Sequence, residues 1–392
     1  MDLERARYLT SSAARRALES LDPALAALPP TRLADRLRRD FPPFEAAALA
    51  EQLVLRARAR ERFGGELPFL YSSPGLEMMT HPAVAHRRAG RLERLGLPVA
   101  DLTAGLGGDL YACLSRGIAG LGVELDPVTS RLAAANTGGR VVRGDALHAP
   151  IDPRHVAVIL DPARRTENRR HFDPASFAPP FDAALNLAAT AAAGVVKAPP
   201  GIAREVIPPA AEAEFVQLGR SMREVTIWLG GDARPGLRRA VLLPTGATLT
   251  SDEPEAPGGV VPPGSYVFDP EPCVTRAGLV RHLATRLGAR LMDPQVAYLT
   301  ADAPAFDPMA ATFEVLDSLD FSVSRLRKRL RELDLSADEI RKRAFPVEPD
   351  ELRRMLGKTG SGRAALICTT VGGRRRVFIC RRLRGLANCE EV

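Results

Sequence analysis

The sequence predicts an α/β chain: a seven-stranded, mostly parallel Rossmann-like sheet behind an N-terminal helical cap, followed by a small C-terminal α+β domain. Three observations carry this. Apolar residues recur at three- and four-residue spacing through roughly the first 95 residues. From Pro98 to about Gly246, short apolar runs alternate with helical patterns, as parallel strands joined by crossovers require. A Pro-, Gly- and acid-rich stretch, SDEPEAPGGVVPPG at 251–264, then separates this region from a basic remainder. The expected divisions are 1–95, 96–246 and 247–392.

In the N-terminal region, TRLADRLRRDF (31–41) and FEAAALAEQLVLRARARERFG (44–64) put apolar side chains on one helical face and carry no visible chemistry. Thr80 offers an N-cap before HPAVAHRRAGRLERLG, and Gly96 ends that helix just ahead of the first strand. Strands are expected at 98–102, 118–124, 140–144, 155–160, 194–198, 223–229 and 238–243. The last two flank GGDARPG, a turn-rich segment short enough for a hairpin, so the final strand should run antiparallel. Five parallel strands closed by such a hairpin is the pattern of methyltransferases rather than of dehydrogenases. Further on, FEVLD, DEIRKRAF, AALICTTV and RVFICRRL read as strands, and SVSRLRKRLREL and EPDELRRMLG as helices.

Composition limits the partners. The chain carries a net charge of +7, but 50 of its 54 basic residues are arginine, a skew that a genome-wide bias would also produce. Residues 325–384, however, hold 18 basic against 7 acidic side chains, an excess of +11, so the rest of the chain is slightly acidic. A local excess points to a polyanion bound in a salt-sensitive way, against the plainer alternative of a solvated face. MDLERARYLT lacks a signal-peptide layout, and no segment holds the roughly 18 uncharged apolar residues of a membrane span, so a cytoplasmic protein without membrane contact is expected. Cys113, Cys273, Cys368, Cys380 and Cys389 form no CxxC spacing, and the histidines do not pair at ligand spacing, which predicts reduced thiols and no metal.

The most informative segment is VADLTAGLGGDLYACLSRG (99–117): a strand ending at Asp101, a glycine-rich turn, and a helix opening near Asp109. Gly105, Gly107 and Gly108 permit positive φ and close backbone approach. A dinucleotide fingerprint starting at Gly105 would need glycine at Leu110, so that reading fails. A carboxylate at Asp101 would repel a pyrophosphate but pair with the amino group of S-adenosylmethionine. Glu124 lies 23 residues beyond Asp101, close to the roughly 20-residue offset at which an acid meets ribose hydroxyls. Leu125 would then lie against the adenine, and Asp145, closing RVVRGDA, could accept from its amino group.

The fourth strand, VAVILDPARR, delivers Asp161, Pro162, Ala163, Arg164 and Arg165 to the carboxyl edge of the sheet, where open α/β folds hold ligands. An aspartate and adjacent carbonyls can hold an exocyclic amine toward the methyl group, which favours N-methylation. Pyrimidine C5 methylation would need a cysteine nucleophile, and the Pro272-Cys273 step lies outside the catalytic sheet. Arg164, Arg165, Arg169 and Arg170 could hold phosphate, with a solvated basic loop as the alternative; His171 and Phe172 could contact a base. Lys197, in VVKAPPG, points to the same edge as a substrate-binding or structural lysine.

These residues resemble a known family: bacterial class I methyltransferases with a C-terminal THUMP-like domain, distantly similar to the trimethylguanosine synthases. The resemblance spans nearly the whole chain, through MTHPAVAHRRAGRL, DLTAGLGGD, GVELDP, LDPARR with RRHFDP, VVKAPPG, FDPEPCVTRAGLV and IRKRAFPVEPDELRRML. It implies a cofactor site of Asp101, Thr103, Gly105, Gly107 and Glu124, with Ala104 and Ala146 beside them, Asp145 near the adenine, and the acceptor at Asp161 to Ala163. It also implies RNA binding by the C-terminal domain. The fourth position of the acceptor motif, often aromatic in base-amine methyltransferases, is Arg164 here. The expected activity is S-adenosylmethionine-dependent methylation of an RNA base; DNA, protein or small-molecule methylation and an idle RNA-binding protein are the alternatives.

Overall fold

The chain begins with helices α1 (Leu3–Leu9), α2 (Ser12–Ser20), α3 (Pro30–Leu37), α4 (Pro43–Phe63), α5 (Ser73–Met78) and α6 (Pro82–Leu95). A computed structural model describes residues 1–65, 67–164, 176–231 and 233–384. It divides into two compact units, Met1–Ala213 with Glu224–Gly236, and Glu214–Arg223 with Leu237–Val392. Proline in the first turn starts α3 to α6, where its missing N–H costs no hydrogen bond, and Gly64 and Gly96 end α4 and α6 in the left-handed conformation. The expected N-cap at Thr80 is not formed. His81 caps α6 instead, its ring nitrogen accepting from Ala83 N–H at 3.2 Å, and Thr80 is turned inward to a buried carboxylate.

In the first unit, β1 (Val99–Asp101), α7 (Gly108–Leu114), β2 (Gly120–Glu124), α8 (Pro127–Asn136), β3 (Val141–Arg143) and β4 (Ala157–Leu160) follow in order. The short strands β5 (Ala163–Arg164) and β6 (Phe177–Ala178), α9 (Phe181–Thr190) and β7 (Ala193–Ala198) come next; β8 (Glu212–Leu218) and β9 (Ser221–Gly230), which follow, are each divided between the two units. β3, β2, β1, β4 and β7 are parallel neighbours, and β9 runs antiparallel to β7. Within this unit the strand order is β3-β2-β1-β4-β7-β9. This corrects the expected hairpin across GGDARPG. β9 pairs antiparallel with β7, while the segment expected to close the sheet pairs with a later strand. Glu212 in β8 is fully buried and takes both Nη atoms of Arg91 from α6 at 2.8 Å, with that guanidinium 4.1 Å from the Trp228 ring centroid.

The second unit holds β10 (Arg238–Leu243), β11 (Ala247–Thr250), β12 (Tyr266–Pro270), α10 (Pro272–Ala277), α11 (Val280–Leu287), β13 (Arg290–Asp293) and β14 (Val296–Ala301). β15 (Ala310–Asp320), α12 (Val323–Glu332), β16 (Leu335–Lys342), α13 (Pro349–Leu356), β17 (Gly362–Val371) and β18 (Arg374–Leu383) complete it. Its larger sheet has the order β13-β14-β12-β15-β18-β17-β16. Val267, Phe313, Ile367 and Phe378 fill one core, and Leu326, Leu330, Leu352 and Leu356 fasten α12 and α13 over Leu366 and Ile379 in another. The four strands and two helices read from the sequence after residue 310 all form.

Candidate active site

Past Asp101 the chain turns through residues 102–107 before entering α7. Gly107 has φ of 87°, and a Cβ there would lie 2.7 Å from Thr137 Cγ2, so both backbone and space demand glycine. Gly105 also has positive φ, 54°, but a Cβ there would meet no protein atom within 4 Å: this side of the loop is open. Glu124, at the end of β2, accepts from Gly105 N–H through Oε2 and from Asp126 N–H through Oε1, each at 2.9 Å. Beside it Leu125 is 63% exposed and Leu147 39%, apolar side chains left uncovered past the ends of β2 and β3. Asp145 accepts from Leu147 N–H at 2.9 Å, and that bond holds its carboxyl below the usual range. Ala104 and Ala146 are buried.

Behind the loop lies a buried charged array. Arg88 of α6 pairs with Asp109 in the first turn of α7 and with Glu224 in β9. Lys197, near the end of β7, donates to Asp109 at 3.2 Å and also to Asp161 and the Thr80 hydroxyl, which in turn donates to Asp109 at 3.1 Å. Burial alone lowers the pKa of both cations. The carboxylates outweigh it and hold Lys197 and Arg88 above their ordinary values, so Lys197 stays protonated and cannot serve as a base at neutral pH. Asp109, despite its burial, is held at about 2 by Arg88 and Lys197. Asp101 goes the other way: burial pushes it up to about 7, Asp109 adds repulsion, and Lys197 offsets part of it.

Asp161 leaves the end of β4 with its N–H donated to Thr103 Oγ1 at 2.5 Å and its side chain 41% exposed. Pro162 behind it is buried and Ala163 is exposed. Asp101, Thr103, Gly105, Gly107 and Glu124 therefore gather around one loop, and the Thr103–Asp161 bond ties that loop to the acceptor motif. Arg164 lies in β5, while Arg165, Arg169, Arg170, His171 and Phe172 fall outside the described residues. Arg88, Asp109, Glu224 and Thr80 escaped the sequence reading as members of this array. One signal was available: Arg88 occupies the buried face of α6 among Ala85, Ala89 and Leu92, where an unpartnered charge would be costly.

A parallel sheet with one inserted antiparallel strand, a glycine loop after the first strand and an acid closing the second define the class, a Rossmann-like S-adenosylmethionine-dependent methyltransferase. Two Mycobacterium tuberculosis proteins (strains CDC 1551 and H37Rv), each named an S-adenosylmethionine-dependent methyltransferase, are 36% identical to this chain over 339 residues, 83% of this chain and 92% of theirs. The chain belongs to their family, and S-adenosylmethionine is its cofactor. The THUMP domain-like family model matches residues 310–382. A crystal structure described as a methyltransferase from Porphyromonas gingivalis W83 shares the fold, with a TM-score of 0.79 at 23% identity over 98% of this chain and 100% of that one.

The residues present fit the cofactor. The open side of Gly105 and the uncovered Leu125 and Leu147 suit a flat, partly apolar ligand, and a buried carboxyl held near neutrality at Asp101 suits one carrying positive charge. Among the described residues no helix is long and apolar enough to cross a membrane, and no three His, Cys, Asp or Glu side chains are grouped to hold a metal ion.

Proposed function

We propose that this enzyme methylates an exocyclic amine of a base in RNA, in the cytoplasm. The observation that carries the RNA assignment is a coincidence: the THUMP domain-like match at 310–382 falls on the stretch where the chain's basic excess is concentrated. Exposed Arg325, Lys328, Arg331, Arg353, Arg354 and Lys358 on and beside α12 and α13 supply charges that a phosphate backbone would meet.

In this reading Asp101 and Thr103 hold the amino-acid end of the cofactor, Glu124 its ribose hydroxyls, Leu125 and Ala146 the faces of its adenine, and Asp145 the adenine amino group. The cofactor supplies an electrophilic methyl group on a positively charged sulfur. Asp161 and the carbonyls of Pro162 and Ala163 accept hydrogen bonds from the acceptor amine and hold its nitrogen toward that methyl, and the Asp161 carboxylate is the nearest acceptor for the displaced proton. Lys197, expected as either a substrate-binding or a structural lysine, takes the structural part in this reading, fixing Asp161. Arg164, Arg165 and Phe172 are the side chains that approach the nucleic acid.

The test is transfer of labelled methyl from S-adenosylmethionine to total RNA, with RNase-treated and DNA controls. We expect RNase-sensitive label with the wild type and a loss of about 100-fold with Asp161→Ala, the scale of removing one group that orients the reacting atoms. Label confined to DNA or protein would sink the RNA reading, and nucleoside analysis showing label on ribose would sink the amine.

A further inference from the structure

Helices α1 to α5 contribute no side chain to the charged array at the site, yet one buried side chain links the segment that follows α4 to the cofactor loop. Residues 67–71 form neither helix nor strand, so their backbone groups need partners elsewhere. Two buried amides supply those of Leu70 and Tyr71. Gln52 of α4, fully buried, donates to Tyr71 C=O at 2.7 Å and accepts from Tyr71 N–H at 2.9 Å. Asn136, the last residue of α8, accepts from Leu70 N–H at 2.8 Å and donates to Leu70 C=O at 3.0 Å. The second amide hydrogen of Asn136 goes to Leu106 C=O, also at 3.0 Å, in the middle of the cofactor loop.

The Leu106 side chain repeats this link in apolar form. It is 3% exposed and packs in the N-terminal core with Phe69, Tyr71, Leu76 and Met79. That contact leaves no slack: a Cβ on Gly75 would lie 2.8 Å from Leu106, and one on Gly108 3.0 Å from Met79. Leu106 sits between the two positive-φ glycines, and its neighbours Gly105 and Gly107 hold their N–H groups on Glu124 and on Ala104 C=O at 2.9 and 2.7 Å.

We propose that Asn136 is a positioning residue for the cofactor loop, and that through it and Leu106 the N-terminal helices set the affinity for S-adenosylmethionine. A loop with two glycines in left-handed conformation is costly to order from a floppy state. Anchoring Leu106 by its carbonyl and its side chain settles that cost during folding, so less of it falls on binding.

The experiment uses the full chain and two readouts: the dissociation constant for S-adenosylmethionine by calorimetry, and hydrogen exchange of the Gly105 and Gly107 amides in the protein alone. Asn136→Ala should weaken binding by about three- to tenfold, the scale of one buried hydrogen bond, and speed exchange at both glycines. Leu37→Ala, a cavity in the same N-terminal core away from the loop, controls for simple destabilisation. Gly75→Ala, which presses on Leu106 from the N-terminal side, gives a second handle if Asn136→Ala does not fold. Weaker binding in Asn136→Ala or Gly75→Ala, with Leu37→Ala binding like wild type, supports the proposal. Unchanged binding in the loop-directed variants, or equal weakening in all three, overturns it. None of these readouts involves an acceptor, so the result stands apart from the RNA reading.

Discussion

The sheet edge of the first unit and the C-terminal basic segment both hold many charges and treat them oppositely. Arg88, Lys197, Asp109 and Glu224 are each no more than 8% exposed and are paired with one another. Arg325, Lys328, Arg331, Arg353 and Arg354 of α12 and α13 are exposed, and ion pairs among these helices such as Arg353–Asp350, with side chains 48% and 89% exposed, are local. Buried charges interact strongly and in fixed geometry, so they position atoms; exposed ones are screened within about 10 Å at ordinary salt and act together on a polyanion. One chain thus separates precise chemistry from adaptable attraction.

The most severe way to break the contrast is Arg88→Met, which leaves Asp109 and Glu224 buried without their shared cation. We expect a loss of about 3–5 kcal/mol in unfolding free energy, measured by denaturant titration; a loss below 1 kcal/mol would show that the array tolerates an uncompensated charge.

The second test uses pH. The carboxyl of Asp101 is raised to about 7, so between its unfolded value of 3.8 and about 7 the folded chain holds a proton that the unfolded chain releases. The fold therefore loses stability as pH rises through that window. Asp109, lowered to about 2, contributes stability that is present above 3.8 and is lost as pH falls through about 2. Because a cationic ligand favours ionised Asp101, S-adenosylmethionine should bind about tenfold tighter at pH 7 than at pH 5.5, and Asp101→Asn should flatten the profile. A flat wild-type profile would remove Asp101 from the cofactor site.

For the exposed set, replacing Arg325, Lys328 and Arg331 together by alanine should lower the slope of log affinity for single-stranded RNA against log salt by about 2, as the loss of three phosphate contacts does. An unchanged slope places the RNA elsewhere. The smallest effect belongs to the exposed i,i+4 pair Arg36–Asp40, where Arg36→Ala should shift stability by less than about 0.5 kcal/mol. A larger value would mean exposure does not separate the two kinds of charge.

Much of this was readable in advance. The glycine loop, its flanking acids and the six C-terminal elements rest on local rules of spacing, turn chemistry and periodicity, and those hold whatever the chain packs against. β8 was missed because EAEFVQL carries two glutamates and a glutamine, residues that argue against a strand. Glu212 is tolerated there only because Arg91, 121 residues away in sequence, meets it in the core. Thr80 was read as a cap for the same reason: a hydroxyl before a helix has a local use, and the buried Asp109 that claims it lies 29 residues on.

The sequence by itself determined the class of fold, the glycine loop flanked by Asp101 and Glu124, and the segment that places Asp161 at the end of β4, because each is written in contiguous residues whose backbone demands are local. Only the tertiary structure decided that Lys197 serves Asp161, that Arg88 links two carboxylates, and that Asn136 joins Leu70, in the segment after α4, to Leu106. Those partners lie between 21 and 136 residues apart, and their pairing depends on which surfaces the folded chain buries against each other.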